Sequence, residues 1–497
     1  MSSLRRTAVK GFLWQVFGLI GQRGAAFLAS IVLARLLVPE DFGVVAIALA
    51  VITFAEMLRV GGLVPAFIAH QETDKSARHT VFWLGLAAGF GFFAIMFFGA
   101  PYAAAWFNAP KLDSILRALS FTQLVDSFRT VPFAIMVRDY RFKEKSIAES
   151  LPMLVAVPAG IVAAWVLPVE QRAWALVVMF LIRYLLSTIL VLRYEPYKPR
   201  AVFNGKFARQ LSAEGRRILL TSIPASALDP LSRLGLGARI DVGSVGVFNL
   251  ASAVTMPPTF LAYAANWTLF PIIANNIDDH KRIERYLVRS LKSVGLLSLG
   301  VLAWLALVSP DLLPIVFGEK WLAVVVPTQW LCLATAFRNY VLLATNALMA
   351  YKKYTPANVI WWVGLALLVG LFVFWPMPAD SSIVAAQLFA AAMGVTWLLT
   401  VIFTAKAFKL QPSHTAATVL VPVVPSILGA GAAWLARFLL REGLESWMRL
   451  LLETAVFVAV FTPVAGKMLG GHWFSLFTVS GVRGVIRGTR VEEATHE

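Results

Sequence analysis

GVVAIALAVITFAEMLRVGGLVPAFIA, residues 43–69, carries only two charged side chains, Glu56 and Arg59. A helix needs about 20 predominantly apolar residues to cross a hydrocarbon core about 30 Å thick, and this stretch exceeds that. Strands of a transmembrane barrel alternate apolar and polar positions over about 10 residues, whereas Val44 to Ile52 is apolar without a break. Backbone polar groups in lipid must pair within their own segment or in a closed sheet, so the stretch reads as a membrane-spanning helix.

Working outward, similar runs recur to both ends of the 497-residue chain, which is 59% hydrophobic and 14% charged with mean hydropathy +0.74. That composition excludes an ordinary soluble domain. We place spans at about 8–34, 43–69, 80–100, 113–136, 147–167, 173–193, 213–238, 245–274, 287–309, 323–349, 356–376, 382–405, 416–437 and 448–468. The expected fold class is an all-α integral membrane protein of about fourteen transmembrane helices. The basic N-terminus before a long first run reads as a retained helix rather than a cleaved signal. The single cysteine, Cys332, precludes an intrachain disulfide.

The net charge of +17 would suggest nucleic acid in a soluble protein. Its distribution argues otherwise. With residues at span ends counted to the nearer loop, 29 of the 44 Lys and Arg fall in segments on the side of the N-terminus and 8 in the opposite loops. The positive-inside rule then puts both termini in the cytoplasm and removes nucleic acid as a partner. The one connection that offends the rule carries Arg437, Arg441 and Arg449, partly balanced by Glu442 and Glu445.

The organisation reads as an N-terminal six-helix lobe (1–193), a basic cytoplasmic linker (194–212), a second six-helix lobe (213–410), an extra helix pair (411–470) and a cytoplasmic tail (471–497). An offset of 203 aligns Leu33 with Leu236, Gly43 with Gly246, Val44 with Val247, Ala50 with Ala253 and Val51 with Val254. These matches sit near the first and second helices of each lobe, as a duplicated unit requires. Transporters built from such repeats place their substrate site at the repeat interface.

No P-loop and no His-Glu-x-x-His pattern occurs, and no cofactor or metal is expected. The six histidines lie in predicted loops and tails and read as surface residues. Glu40-Asp41 reads as a turn opening a helix, with acids favoured at its N-terminus, rather than as a cation site.

The informative residues are charges inside spans, which are costly near the bilayer centre and usually face the protein interior. They are Arg23 beside Gln22, Glu56 and Arg59, Arg117, Asp126 and Arg129, Arg183, Asp229 and Arg233, and Arg338. Asp126 with Arg129, and Asp229 with Arg233, can pair along their own helices, and Glu56 can neutralise Arg59. Arg23 has no acid within helical reach. A guanidinium is always charged and grips phosphate oxygens in a bidentate fork, so Arg23, Arg59, Gln22, Arg117, Arg129, Arg183, Arg233 and Arg338 are candidate contacts for an anionic substrate. Glu56, Asp126 and Asp229 are candidate ion-coupling residues. Asn249, Tyr263, Asn266, Trp267, Asn339, Tyr340 and Asn346 could line a sugar path or simply bond between helices.

Gly11-x-x-Trp14, Leu33 to Gly43, Gly62 to Ile68, Val245 to Ala251 and Leu269-Phe270-Pro271 resemble the polysaccharide transporters, including Wzx-like flippases, of the multidrug/oligosaccharidyl-lipid/polysaccharide exporter superfamily. The resemblance implies two six-helix lobes, alternating access, a bacterial inner-membrane location and an undecaprenyl-diphosphate-linked oligosaccharide as substrate. It also implies roles for Arg23 and Arg59 by their helix positions, and a polysaccharide polymerase or co-polymerase complex as a candidate partner beside membrane lipids. A multidrug exporter of the same fold should carry unpaired acids. A membrane glycosyltransferase or polymerase should carry a large outer loop, and no outer loop exceeds about 20 residues on these spans.

Overall fold

The computed structural model describes residues 2–69, 75–274, 279–378, 382–440 and 445–469. Among them there are no strands, and the chain is an all-α membrane protein. The helices are α1 (Ser2–Leu36), α2 (Pro39–Val60), α3 (Leu63–Ala69), α4 (Lys75–Trp106), α5 (Lys111–Arg138), α6 (Phe142–Val166), α7 (Ala173–Tyr194) and α8 (Gly205–Gly237). There follow α9 (Val242–Thr255), α10 (Thr259–Ala274), α11 (His280–Phe317), α12 (Val325–Ala350), α13 (Tyr354–Phe374), α14 (Ser382–Ala407), α15 (Pro412–Leu439) and α16 (Ser446–Leu469).

Each expected span coincides with a helix or a broken helix. Among the described residues, ten are long and apolar enough by length and composition to cross a membrane, and eleven if α9 and the first half of α10 count as one kinked span. α5 and α8 fall short of that measure because charged and polar residues interrupt them, Arg117, Asp126 and Arg129 in the first and Asp229 and Arg233 in the second. The expected helix over 43–69 is in fact two. α2 ends at Val60, and the Gly61-Gly62 step lets the chain touch α8 backbone to backbone. A Cβ on Gly62 would lie 2.2 Å from the Gly215 carbonyl oxygen, so only glycine permits this approach.

Packing divides the described residues into two compact bodies: those within 2–254, 313–328 and 361–392 form one, and those within 255–312, 329–360 and 393–469 the other. The bodies are defined by packing alone; the lobes of the sequence reading stay a proposal about the repeat. In the first body α4 packs on α5, α6 on α7 and α1 on α6. A core of Val64, Phe67, Val81, Phe82, Ile135, Phe207 and Leu211 joins α3, α4, α5 and α8.

The helix ends of this body are tied down by long-range bonds. The last carbonyls of a helix have no partner within it. Those of α1 are met from the segment 318–324: Trp321 Nε1 donates to Ala34 at 2.8 Å, and Lys320 Nζ donates to Leu37 at 2.6 Å and to Arg35 at 3.0 Å. Trp321 is fully buried, and Phe42 meets it edge-on at 5.3 Å. In return Arg35 Nε donates to the Val316 carbonyl at 2.8 Å.

Nearby, α2 and α9 cross at their first turns. A Cβ on Gly43 would lie 1.8 Å from the Val242 carbonyl oxygen, and one on Gly246 would lie 1.9 Å from that of Pro39. The offset of 203 that relates Gly43 to Gly246 also relates Pro39 to Val242. Positions related by the sequence offset therefore meet in a reciprocal contact.

The basic linker is anchored to α4. His79 Nδ1 accepts from the Arg200 backbone N–H at 3.1 Å and from the Tyr197 hydroxyl at 2.8 Å. The Asn204 N–H reaches Thr80 Oγ1 at 2.9 Å, and Trp83 Nε1 donates to the Arg200 carbonyl at 2.9 Å. Burial pushes the Tyr197 phenol up to about 12, so it remains a donor. His79 is thus a buried acceptor, correcting the surface reading. That reading looked for metal-ligand spacing along the chain, whereas the partners lie more than a hundred residues away. His280 stacks on Tyr351, His414 is exposed, and the remaining histidines lie outside the described residues.

In the second body α15 packs on α16. Arg437 Nη1 sits 3.0 Å from Asp311 and 3.1 Å from Glu453, and Arg449 lies 3.9 Å from Asp311. Glu453 is fully buried. Two of the three arginines that strained the charge rule are therefore matched by buried acids on α11 and α16. Arg441 and the tail lie outside the described residues.

Candidate functional site

Five charged side chains on three helices of the first body compose a polar centre in an otherwise apolar bundle. Arg59 of α2 and Asp126 of α5 are 4% and 5% exposed. Arg59 Nη2 donates to Asp126 Oδ2, its Nε to Gln123 Oε1 at 3.2 Å and its Nη1 to Thr130 Oγ1 at 3.3 Å. Arg129, one turn from Asp126, donates from Nε to Asp126 Oδ1 and from Nη1 to Ser187 of α7 at 2.9 Å. Asp126 thus gives one oxygen to each of two guanidiniums.

Glu56 accepts from the Tyr184 hydroxyl of α7 at 3.2 Å. Arg183 is half-buried, its guanidinium carbon 5.4 Å from the Tyr184 ring centroid. Three guanidiniums and two carboxylates leave the centre with one positive charge in excess when all are ionised. The sequence correctly paired Asp126 with Arg129. Arg59, by contrast, pairs with Asp126 rather than with Glu56, because the short route runs between helices and not along α2.

The remaining candidates are not gathered there. Arg23 is exposed and forms no ion pair among the described residues, with Gln22 half-buried beside it. α1 meets α6 through Gly18 and Gly21, next to Ser146 and Ser150. At about 100° per residue, Arg23 points to the other side of α1. Arg117 is held by Asp113 at 2.7 Å and lies over the Phe97 ring. Asp229, Arg233 and Arg338 are half-buried.

Of the amides and aromatics, Asn339 donates to Ser298 at 2.6 Å, and the Tyr340 hydroxyl bonds Thr418 at 3.1 Å, so both link helices. Asn266 differs: it is buried, and neither its Nδ2 nor its Oδ1 has a partner among the described residues. Tyr263 is exposed and Asn249 and Asn346 are half-buried, while the Trp267 side chain lies outside the described residues. In the helix-opening turn, Asp41 is buried with Lys111 Nζ at 3.6 Å. Sequence reasoning missed Gln123, Thr130, Ser187 and Tyr184. Each lies one or two turns from a charge or on a neighbouring helix, a signal that appears only once the helices are packed.

The fold is that of the flippases and multidrug transporters of the MOP superfamily. A solved structure of the lipid II flippase MurJ in an inward closed conformation superposes with TM-score 0.73 at 11% identity, covering 92% of this chain and 98% of that one. An inward-facing MATE multidrug transporter gives 0.57 at 14% identity, over 78% and 95%. Residues 32–326 match the model of the polysaccharide biosynthesis protein family, and the chain belongs to that family. Among relatives, the lipopolysaccharide biosynthesis protein WzxC of Escherichia coli K12 is 24% identical over 68% of this chain and 68% of its own length. The succinoglycan biosynthesis transport protein ExoT of Rhizobium meliloti is 25% identical over 64% of each. The teichuronic acid biosynthesis protein TuaB of Bacillus subtilis is 22% identical over 81% and 83%.

Proposed function

We propose that the chain is a flippase that moves an undecaprenyl-diphosphate-linked oligosaccharide repeat unit from the cytoplasmic to the periplasmic leaflet of the bacterial inner membrane, for exopolysaccharide, capsule or O-antigen assembly. The observation that carries this reading is Arg23. It is a guanidinium in a long membrane helix, exposed, turned from the α6 contact and without an ion pair among the described residues. A charge at such a place is costly to keep, and a diphosphate is the ligand whose oxygens a guanidinium fits best. Family membership and the names of WzxC and ExoT support polysaccharide export, and the MurJ-like fold supports a lipid-linked cargo.

Arg183, the third cation of the polar centre, is a second phosphate candidate. Arg59 and Arg129 serve first to hold Asp126. A multidrug exporter of the same fold would need unpaired acids, whereas guanidiniums outnumber carboxylates three to two in the polar centre and both oxygens of Asp126 are taken. For ion coupling Glu56 is better placed than Asp126, because among the described residues it is held by a hydroxyl and not by a guanidinium.

The cargo carries about two negative charges. An inside-negative potential favours its outward movement by about 2.3 kcal/mol per charge per 100 mV, which supplies a driving force without nucleotide.

The test is deletion of the gene followed by mass spectrometry of membrane lipids. Lipid-linked repeat units are expected to accumulate on the cytoplasmic leaflet, and Arg23→Ala is expected to reproduce this at normal protein levels. Undiminished polysaccharide export from the Arg23→Ala strain would refute the role of Arg23, and absence of any lipid-linked intermediate in the deletion strain would refute the flippase reading.

A further inference from the structure

The first three turns of α11 carry a second cationic surface, independent of the transport reading. Lys281, Arg285, Arg289 and Lys292 follow at intervals of four, four and three residues, which sets them on one helical face. They line an open cavity of about 580 Å³ that is also bordered by the start of α15, at Gln411 and His414, and by Leu469 at the end of α16. Among the described residues none of the four forms an ion pair. Glu284, the one acid of the wall, is taken by His414 at 2.7 Å. Some basic residues elsewhere are matched, as Arg141 is by Glu195 at 2.6 Å and Lys145 by Glu149 at 3.1 Å. Like charges one turn apart repel, so four unmatched cations around a hollow call for an anion.

The depth of the hollow fixes the kind of anion. From Ser293 to Pro310 the helix carries no charged residue, so Lys292 stands where the apolar span begins. Lys281 stands about 16 Å farther out at 1.5 Å per residue. The hollow therefore opens at the depth of lipid headgroups, and Val288 and Leu469 add apolar walls where acyl chains would begin. Basic pockets between transmembrane helices hold anionic head groups in this way.

We propose that this cavity is a binding site for the phosphodiester headgroup of an anionic phospholipid, wedged between α11 and the α15–α16 pair.

Native mass spectrometry of the full-length protein, released from micelles containing phosphatidylglycerol or phosphatidylethanolamine, tests it. The wild type is expected to retain phosphatidylglycerol at least about tenfold more than phosphatidylethanolamine. At about 1 kcal/mol per basic residue, each charge removed should lower retention roughly fivefold, and the K281Q/R285Q/R289Q/K292Q variant should lose the preference altogether. K352Q/K353Q, which removes exposed charges elsewhere, should keep it. The single variants R285Q and R289Q give the same reading should the quadruple variant fail to fold. Equal retention of the two lipids by the wild type, or unchanged preference in the charge variants, would overturn the proposal. Complete displacement by millimolar inorganic phosphate would also overturn it, by assigning the cavity to a free anion.

Discussion

Asp126→Asn should destabilise the first body severely. The carboxylate gives one oxygen to Arg59 and the other to Arg129, and all three groups sit in the apolar interior. The amide can still accept at Oδ1, but its Nδ2 presents hydrogens to the second guanidinium. Arg59, Arg129 and Arg183 are then left with Glu56 as the only acid of the centre. Removing one partner of a buried ion pair costs about 3–5 kcal/mol, much of it from the charge left behind. Because Asp126 is 5% exposed, solvent does little to soften this, and a loss of about 4 kcal/mol is expected. Arg59→Met should be milder, since Asp126 keeps Arg129. In the double variant the two losses should fall short of their sum by about 1–3 kcal/mol. The assay is unfolding of purified protein in mixed micelles of increasing dodecyl sulfate content, followed by tryptophan fluorescence. Asp126→Asn within about 1 kcal/mol of wild type, or strictly additive losses, would refute the view that Arg59 is a structural cation held by Asp126.

Gly43→Ala should force the first turns of α2 and α9 apart, since its Cβ has nowhere to go but into the Val242 carbonyl. A loss of about 1–3 kcal/mol is expected in the same assay, and Gly246→Ala should match it. Glu453→Gln should weaken the seat of α15 and α16 on α11 by about 1.5–3 kcal/mol, the worth of a bond to a charged group. The measurement is the midpoint of heat-induced unfolding in detergent, and an unchanged midpoint would count against Glu453 as the neutraliser of Arg437.

The helices were legible because hydropathy is a local property: each apolar run announces its own span. The reciprocal contact at Gly43 and Gly246 was half legible, as a repeat without its meaning. The break at Gly62 was not, because it answers to Gly215, which lies far along the chain. The same limit hid the pairing of Arg59 with Asp126 across 67 residues and the matching of Arg437 by Asp311. The positive-inside rule treats arginines as loop charges and has no view of acids buried on other helices. His79 was misread for a related reason, since its partners sit in the linker.

The crossing of α2 and α9 has the character of a handshake between equals. When two identical subunits meet about a two-fold axis, residue i of one touches residue j of the other and the reverse holds as well. Here Pro39, Gly43, Val242 and Gly246 do this within a single polypeptide. Neither half can acquire a larger residue at that joint without wedging the backbone of its counterpart, so glycine in one copy constrains what the other can become. Among the positions that the offset of 203 relates, both members of this pair are glycine.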